Sequence, residues 1–536
     1  MAIENEKSNF KENLSSDDVF VGLLDHGLFA DKIPPCFTSK GLAALISQKI
    51  EPEFNNADER KLKKLADKYS HDYMRYESLR DSNIPRHLGI PHPEAYAIQS
   101  LAIKKHWQTI ITHCNHPQLT FSRIYVRRTR SDKIFEMNYK SYEHYQQEEL
   151  EQSWMLDAHF LVKADISNCF PSIYTHSIPW ALHDISEAKK NRRLELAGNL
   201  LDKCTQCTRD QQTNGLLIGP HSSNIISEII LTKIDSQLQK KYSKVTRHID
   251  DYCFYAKSFN EAEQFIKDLG LELRAYEMSL NEKKTKILSL PRPSEEDWIL
   301  VLKRHPLPID GKLKFKDIRS FIDRALSCAH AIDKSTPLNY AIKVLSKTYI
   351  SEVEAPRHRE LNPRAKRMYA QKSINLALSY PYLASILDKN VFIPYWHDGL
   401  ENKIIRFATS MVCLGLQKIY PDAIAHAIFL ALKYNFKLEI DTDELKKIIF
   451  LDDCIVNVLL LKYSIINNNE EIRKTIIEKA NNLKKSEKRE HDKNWLLIYE
   501  VWSNSDLQGN GQHLLAYLKE KDFQFFSNPC CATDVG

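Results

Sequence analysis

The chain has 536 residues, 43% of them hydrophobic and 27% charged, which favours a packed globular core and disfavours global disorder. Its 14 glycines are few, which disfavours a loop-rich or all-β protein and predicts many helices with a small sheet. The net charge of +5 leaves a nucleic-acid partner open, because a balanced chain can still carry a local basic groove. The length suggests roughly two to four domains.

Targeting and cysteine patterns point to the cytoplasm. No run of about 18 apolar residues occurs, and the charged N-terminus lacks the apolar segment of a secretory signal, so we expect neither membrane insertion nor export. The 11 cysteines are scattered and odd in number, unlike a disulfide framework. Cys204 and Cys207 form a lone Cys-x-x-Cys pair without a second ligand pair, which favours ordinary thiols over a zinc site.

The first 130 residues mix helical and extended patterns. Residues 1–80 place apolar side chains at three- and four-residue steps and predict helices. Residues 81–96 contain three prolines and predict a loop or extended connector, followed by a helix over 97–113. Residues 121–130 combine β-prone residues with clustered arginines and predict a strand.

Two further strand patterns carry acidic residues. The apolar run at 159–167 predicts a buried strand ending in an aspartate, and 246–258 predicts a hairpin with adjacent aspartates at its turn. Between them, 215–238 reads as a glycine-flanked loop leading into a long helix.

The sequence after about residue 300 is dominated by helical periodicity. Such runs of helices often form bundles or solenoids, although no clean repeat occurs and a helical-repeat architecture is a hypothesis. The pattern predicts three regions: a helical extension at 1–80, a mixed α+β domain at 81–300 and an all-α domain at 301–536. The predicted C-terminal helices lie at 317–332, 338–350, 371–387, 400–418, 421–435, 443–462 and 470–483.

Three carboxylates are the strongest candidates for chemistry: Asp165, Asp250 and Asp251. Burying like charges is costly unless cations neutralise them. Two divalent ions about 4 Å apart would do so, and would activate a 3′-hydroxyl and stabilise a pyrophosphate leaving group. Mg²⁺ fits because it prefers a few carboxylates together with phosphate oxygens. Taken alone, an Asp-Asp pair indicates a simple turn.

The order of four segments strengthens this interpretation. KADISNCFPSI (163–173), GLLIGPHSS (215–223), HIDD (248–251) and LNEKKTKI (280–287) resemble polymerase motifs A, B, C and D of reverse transcriptases. The resemblance implies a right-hand polymerase with fingers and palm, followed here by an all-α region. It also implies that the backbone carbonyl of Ile166 joins the three aspartates as a ligand of two Mg²⁺ ions, with Mn²⁺ as an alternative.

The same resemblance assigns expected roles to residues around the acids. Phe170 would exclude a ribose 2′-hydroxyl and select dNTPs, although it could equally be a core residue. Lys284 would lie near the leaving phosphate as a cation or proton donor, or on a solvated helix end. His248 stands where many reverse transcriptases have an aromatic residue, which suggests an altered contact with the primer terminus.

Glycine and arginine positions complete the predicted site. Gly215, Gly219 and Pro220 would let the backbone approach the nucleotide, or form a helix-entry turn. Ser223, or Ser222, would contact substrate or cap the following helix. The three arginines expected to bind triphosphate, or else to lie on a solvated edge strand, are Arg123, Arg127 and Arg128.

Features outside the motifs resemble the abortive-infection and defence-associated reverse transcriptases of bacteria. These features are LLDHGLFADKIPPCF, IPRHLGIPHPEAY, the IGPHSS form of motif B and PLNYAIKVL. The resemblance implies anti-phage defence, a helical-repeat domain in place of the thumb, and a DNA product made with protein priming, without a template or on a noncoding RNA. It also implies assembly as a trimer or hexamer, and no tyrosine is singled out as the primer.

Two other functions fit parts of the pattern. A retron or group II intron enzyme would share the motifs, but its chain would not normally carry so long a helical region after the palm. A non-catalytic nucleic-acid-binding scaffold would tolerate loss of the acids, whereas Asp165, Asp250, Asp251 and Lys284 are all present.

Overall fold

The computed structural model describes residues 14–81, 84–115, 121–122, 124–126, 135–136, 149–293, 295–308, 312–348 and 357–529. Short helices begin the described chain, and the first is held by a capping box in which Ser15 and Asp18 satisfy each other's backbone amides. A π-helix, Gly22–His26, continues it. These helices are α1 Ser16–Val21, α2 Leu42–Lys49, α3 Glu51–Asn55 and α4 Glu59–Lys68.

A two-stranded antiparallel hairpin follows, and its first strand contradicts a prediction. Strand β1, Tyr73–Ser78, lies where helices were expected, whereas strand β2, Arg86–Pro91, lies in the segment predicted as a loop or extended connector and is extended. Helix α5, Pro93–Lys105, also starts within that segment, because proline is tolerated in the first helical turn, where no N–H partner is needed. The predicted 97–113 helix is in fact α5 followed by α6, Trp107–Cys114.

The central sheet has four antiparallel strands in the order β6-β7-β5-β8. Its strands are β5 Phe160–Asp165, β6 Val245–His248, β7 Asp251–Ala256 and β8 Lys286–Ser289, and β3 Tyr125–Val126 pairs separately with β4 Phe135–Glu136. Both acid-bearing strand predictions are confirmed. The helices around the sheet are α7 Cys169–Ser172, α8 Ser177–His183, α9 Ile185–Lys190, α10 Ala197–Cys207, α11 His221–Leu238 and α12 Phe259–Arg274.

Beyond the sheet, the described residues form helices apart from the two-residue pairing of β9, Lys347–Thr348, with β10, Arg357–His358. The expected 400–418 helix is present with those bounds, whereas the expected 443–462 helix is two helices. The C-terminal helices are α13 Asp297–Lys303, α14 Phe315–Ile332, α15 Thr336–Ser346, α16 Pro363–Ser379, α17 Ala384–Leu387, α18 Leu400–Lys418, α19 Pro421–Lys433, α20 Thr442–Ile449, α21 Cys454–Ile466, α22 Glu470–Asn482, α23 Lys488–Lys493, α24 Trp495–Val501, α25 Asn504–Gly509 and α26 His513–Glu520.

A continuous hydrophobic core runs from Val19 to Phe526 and joins the N-terminal and C-terminal parts of the chain. Helices α19 and α23 pack against β1, and α26 packs against α5. The predicted boundaries at residues 80 and 300 stay predictions. Within the described ranges, no helix is both long and apolar enough to cross a membrane.

Candidate active site

The ends of strands β5 and β7 bring two aspartates side by side. Asp165 is the last residue of β5 and Asp251 the first of β7, and the antiparallel register pairs them directly. The amide of Ile166 donates to the carbonyl of Asp250 at 3.2 Å, which joins the β6–β7 turn to the end of β5. Ile249 in that turn has a φ of 54°, a strained conformation for a β-branched residue. The three predicted acids therefore lie together.

The predicted lysine also lies in this cluster. Asp165 is only 6% exposed, and its Oδ2 accepts a hydrogen bond from Lys284 Nζ at 2.8 Å. Its Oδ1 accepts from Asn281 Nδ2 at 2.9 Å. The backbone holds this arrangement, because the amide of Asn281 donates to the Asp165 carbonyl at 2.7 Å. Motif D thus supplies a cation and an amide to the motif A aspartate.

The acids keep an excess of negative charge. Burial raises the pKa of Asp251 to about 6, and the charges of Asp250 and Asp165 add to the effect. Burial likewise raises the pKa of Asp250, where the charge of Asp165 adds to the effect while Lys284 and Arg86 oppose it. Raised carboxyl pKa values are typical of like charges that are incompletely neutralised. The cluster is therefore suited to cations, and its hard oxygen atoms suit Mg²⁺.

The three aspartates are spaced too widely to surround a single ion by themselves. In the described part of the chain, only His71, His92 and Glu94 offer three ligand atoms within 4.8 Å of one another, and the three aspartates do not meet this spacing. Two ions about 4 Å apart spread their ligands more widely, and substrate phosphates supply further oxygens.

A buried arginine that sequence reasoning missed supports the turn. Arg247 is fully buried on β6, and its guanidinium binds Asp235 at 2.9 Å and Glu228 at 2.9 Å. A further N–H donates to the carbonyl of Ile249 at 3.0 Å, directly before Asp250. The available signal was an arginine inside a β-prone run, since such a charge needs buried partners. Arg247 therefore fixes the strained residue that precedes the acids.

Motifs A and B are joined through their backbones. The amide of Leu216 donates to the Phe170 carbonyl at 2.8 Å, and the amide of Gly215 donates to the Ile173 carbonyl at 2.7 Å. Gly215 has a φ of 87°, and a Cβ there would lie 2.9 Å from the Pro171 carbonyl oxygen, so glycine is required. Phe170, half-buried on α7, is thereby placed beside the motif B loop.

The rest of motif B packs against the N-terminal segment. Gly219 has a φ of 134°, and a Cβ there would lie 3.1 Å from the Cβ of Ala30. Pro220 is the N-cap of α11, which has no side-chain cap, so Ser223 and Ser222 do not cap this helix. Both serines are almost fully buried. Contact between Ser223 and substrate stays a prediction.

The arginines of the site differ from those expected. Arg123, Arg127 and Arg128 lie outside the described residues. Arg86, the exposed first residue of β2, lies within electrostatic range of Asp250: partial burial and Arg80 lower its pKa, and the charge of Asp250 raises it. Sequence reasoning missed Arg86 because it read the proline-flanked segment as a connector.

Comparison with known families agrees with these motifs. Residues 86–352 match the family model described as reverse transcriptase (RNA-dependent DNA polymerase). The chain carries a reverse transcriptase domain. The matched residues begin at Arg86, include the four segments that resemble motifs A to D and extend past α15. No curated protein matches the sequence.

Solved telomerase structures are among those similar to this chain. Apo telomerase from Candida tropicalis truncated from its C-terminal domain is 11% identical over 48% of this chain, with a TM-score of 0.28. This chain spans 57% of the length of that protein. Apo telomerase from the same organism is 11% identical over 83% of this chain and 77% of its own, with a TM-score of 0.32. Telomerase from Candida albicans with a TWJ fragment of telomeric RNA is 12% identical over 80% and 67%, at 0.29.

Proposed function

We propose that the chain is a DNA polymerase of the reverse-transcriptase type that adds dNTPs by two-metal nucleotidyl transfer. Asp165, Asp250, Asp251 and the backbone carbonyl of Ile166 would hold two Mg²⁺ ions, with Mn²⁺ as an alternative because it accepts the same oxygen ligands. The observation that carries the proposal is the pairing of Asp165 with Asp251, with Asp250 in the adjoining turn. The raised pKa values of Asp250 and Asp251 support it.

The surrounding side chains have distinct tasks in such a reaction. When bound, the ions would activate a primer hydroxyl and stabilise the leaving pyrophosphate. Lys284 contacts Asp165 and would give charge or a proton to the leaving phosphate. Arg86 lies within electrostatic range of Asp250, and its planar guanidinium would bind phosphate oxygens in pairs.

Synthesis by the purified protein tests this function. Protein supplied with dNTPs and Mg²⁺ should produce a DNA polymer, free or attached to the protein, and EDTA should stop the reaction. Asp250→Ala should abolish synthesis, while a change at an exposed lysine such as Lys283→Ala should not. Synthesis by Asp250→Ala at the wild-type level would show that the acids are misassigned.

Selection of deoxynucleotides is assigned to Phe170. Phe170 lies five residues after Asp165, and its backbone carbonyl binds the motif B loop at Leu216; a bulky ring at this position would exclude a 2′-hydroxyl. We expect Phe170→Ala to narrow the preference for dNTPs over rNTPs by about 10- to 100-fold, the usual range for a changed pocket contact. The exposed Phe259→Ala serves as a control. An unchanged preference in Phe170→Ala removes this assignment.

Anti-phage defence is the proposed biological setting, and it rests on the motif resemblance together with the long helical C-terminal region. The product would be made with protein priming, without a template or on a noncoding RNA, by a trimer or hexamer. Sequencing the nucleic acid that copurifies, with and without protease treatment, tests the template and the covalent attachment. Equal phage plating on cells with wild-type protein and with Asp250→Ala would contradict the defence role.

A further inference from the structure

The start of strand β1 is held by a buried carboxylate from the C-terminal helices. Asp492 on α23, 1% exposed, accepts hydrogen bonds from the amide of Asp72 at 2.9 Å and from His71 Nδ1 at 2.8 Å. The other ring nitrogen of His71 binds Glu94 of α5 at 2.7 Å. Burial lowers the pKa of His71, but the bonds to Asp492 and Glu94 outweigh it and raise the pKa above its ordinary value. His71 thus joins two acids.

The other end of β1 is held in the same way. Asp422 on α19 is 3% exposed. It accepts hydrogen bonds from the Tyr76 hydroxyl at 2.5 Å and from the amide of Leu79 at 3.0 Å. Each end of the strand therefore gives one backbone amide and one side chain to a buried aspartate from more than 340 residues further along the chain. Buried carboxylates with such partners resist displacement, because an unpaired partner would be costly.

Strand β1 leads directly to the proposed catalytic site. It pairs along its length with β2, from Tyr73 with Pro91 to Ser78 with Arg86. The amide of Gly89 in β2 donates to the Ile218 carbonyl in the motif B loop at 2.9 Å. A Cβ at Gly89 would lie 2.7 Å from a side-chain carbon of Leu217, so the strand and the loop are in close contact. Any shift of β1 would therefore move Arg86 and motif B together.

We propose that Asp422 and Asp492 are positioning residues, through which the C-terminal helices fix the β1–β2 hairpin and thereby the nucleotide side of the catalytic site. The C-terminal helices are then part of the polymerase rather than a separable attachment. A partner that pulled α19 or α23 away from β1 would loosen Arg86 and the motif B loop without touching the acids. The effect on nucleotide binding rests on the proposed function, whereas the effect on the hairpin does not.

A metal ion is the competing explanation for part of this contact. His71, His92 and Glu94 have ligand atoms close enough for one. However, the rings of His71 and His92 stack at 3.8 Å with an angle of 18° between them. An ion lies in the plane of each imidazole that binds it, and planes so nearly parallel do not meet within bonding distance. Both nitrogens of His71 are also occupied by carboxylates, so the contact is a hydrogen-bonded one.

Hydrogen exchange combined with steady-state kinetics tests the proposal. We expect Asp422→Ala and Asp492→Ala to speed exchange at the Leu79 and Gly89 amides about tenfold and to raise the KM for dNTP more than they lower kcat. Tyr76→Phe, which removes one hydroxyl and keeps the packing, should act in the same direction. Asp422→Asn should restore much of the protection because it keeps an acceptor oxygen.

A matched control lies within the C-terminal helices. Asp388 accepts hydrogen bonds from Tyr434 and Lys433 at the C-terminal end of α19, as Asp422 does from Tyr76 and Leu79, but these bonds are not made to the β1 segment. Asp388→Ala should therefore leave exchange at Gly89 unchanged. Unaltered exchange at Gly89 in Asp422→Ala, Asp492→Ala and Tyr76→Phe would overturn the proposal. If the wild type incorporates no nucleotide, the proposed function fails, yet the exchange rates still decide whether the hairpin is held in this way. Exchange rates that change equally in these variants with and without added Zn²⁺ would exclude a metal ion at His71, His92 and Glu94.

Discussion

Two clusters of acidic side chains contact the β6–β7 hairpin, and their negative charges are met by different groups. In the first, Glu228 and Asp235 are almost fully buried, and a fully buried Arg247 binds both. In the second, Lys284 contacts Asp165, and its charge lowers the pKa values of Asp250 and Asp251. The first cluster is complete within the protein, since Tyr252 also donates to Asp235 at 2.8 Å.

The difference separates a structural cluster from a candidate catalytic one. Neighbouring acids raise the pKa of Asp251 in addition to burial, and its side chain is exposed. The Arg247 pKa is held well above its ordinary value by Asp235 and Glu228, although burial opposes this. The acids of the Arg247 cluster are bound by side chains of the protein, although one cation faces two carboxylates and burial still raises the pKa of Asp235. The exposed Asp251 lies where a cation from solution can reach it. Removing a residue should therefore cost stability in the first cluster and activity in the second.

The largest loss of stability is expected in the Arg247 cluster. Arg247→Met leaves two buried carboxylates without their cation, which typically costs about 3–5 kcal/mol. The free energy of unfolding from a denaturant titration measures this loss, and the exposed Arg319→Met provides the control. Equal stability of the two variants would mean that the Arg247 cluster is not the structural one.

A smaller effect, on activity alone, is expected at Lys284. Lys284→Met removes the proposed proton donor and should lower the rate of incorporation by about 100-fold, the lower range for general acid catalysis. The pKa values of Asp250 and Asp251 should rise further, because Lys284 lowers both. Lys283→Met, on the exposed neighbour, should keep its rate. Incorporation by Lys284→Met at the wild-type rate would show that Lys284 is an exposed lysine without a role in nucleotide transfer.

The smallest expected effect is a change of stability with pH, which comes from a third, buried set of charged groups around His71. The pKa of His71 is raised in the folded protein, so its contribution to stability is complete below about pH 6.5 and is lost as the pH rises through the folded value. Glu94 behaves oppositely: burial opposes the shift, but bonds to His71 lower its pKa to about 2, and its contribution is lost only as the pH falls towards that value. The pKa of Asp492 is lowered as well, because burial opposes the shift but the hydrogen bond to His71 outweighs it. The ring of His92 stacks on that of His71.

Unfolding titrations across pH check this third set. The difference in stability between the wild type and His71→Phe should be largest in weak acid and should shrink as the pH rises above neutrality. A difference that grows with pH would mean that His71 is uncharged between its acids.

The sequence predicted the positions of the acids in the sheet well, because they lie at the ends of strongly β-prone runs with short connections. Helix 400–418 was equally clear, since its periodicity is long and uninterrupted. Strand β1 was mistaken for helix because its partner β2 lies in a segment whose prolines suggested a loop. Contacts such as Asp492 with His71 join residues 421 apart, and no local pattern indicates them.

In the proposed function, Asp251 binds a cation for nucleotide transfer and is not needed for folding. Single-turnover incorporation of one dNTP by Asp251→Asn, with the free energy of unfolding measured in EDTA, tests it most directly. Loss of several kcal/mol of transition-state stabilisation predicts a rate at least about 1,000-fold lower. Stability should stay equal or rise, because a carboxylate with a raised pKa has been replaced by a neutral group. Incorporation at the wild-type rate, or a loss of stability without a loss of activity, would contradict the account.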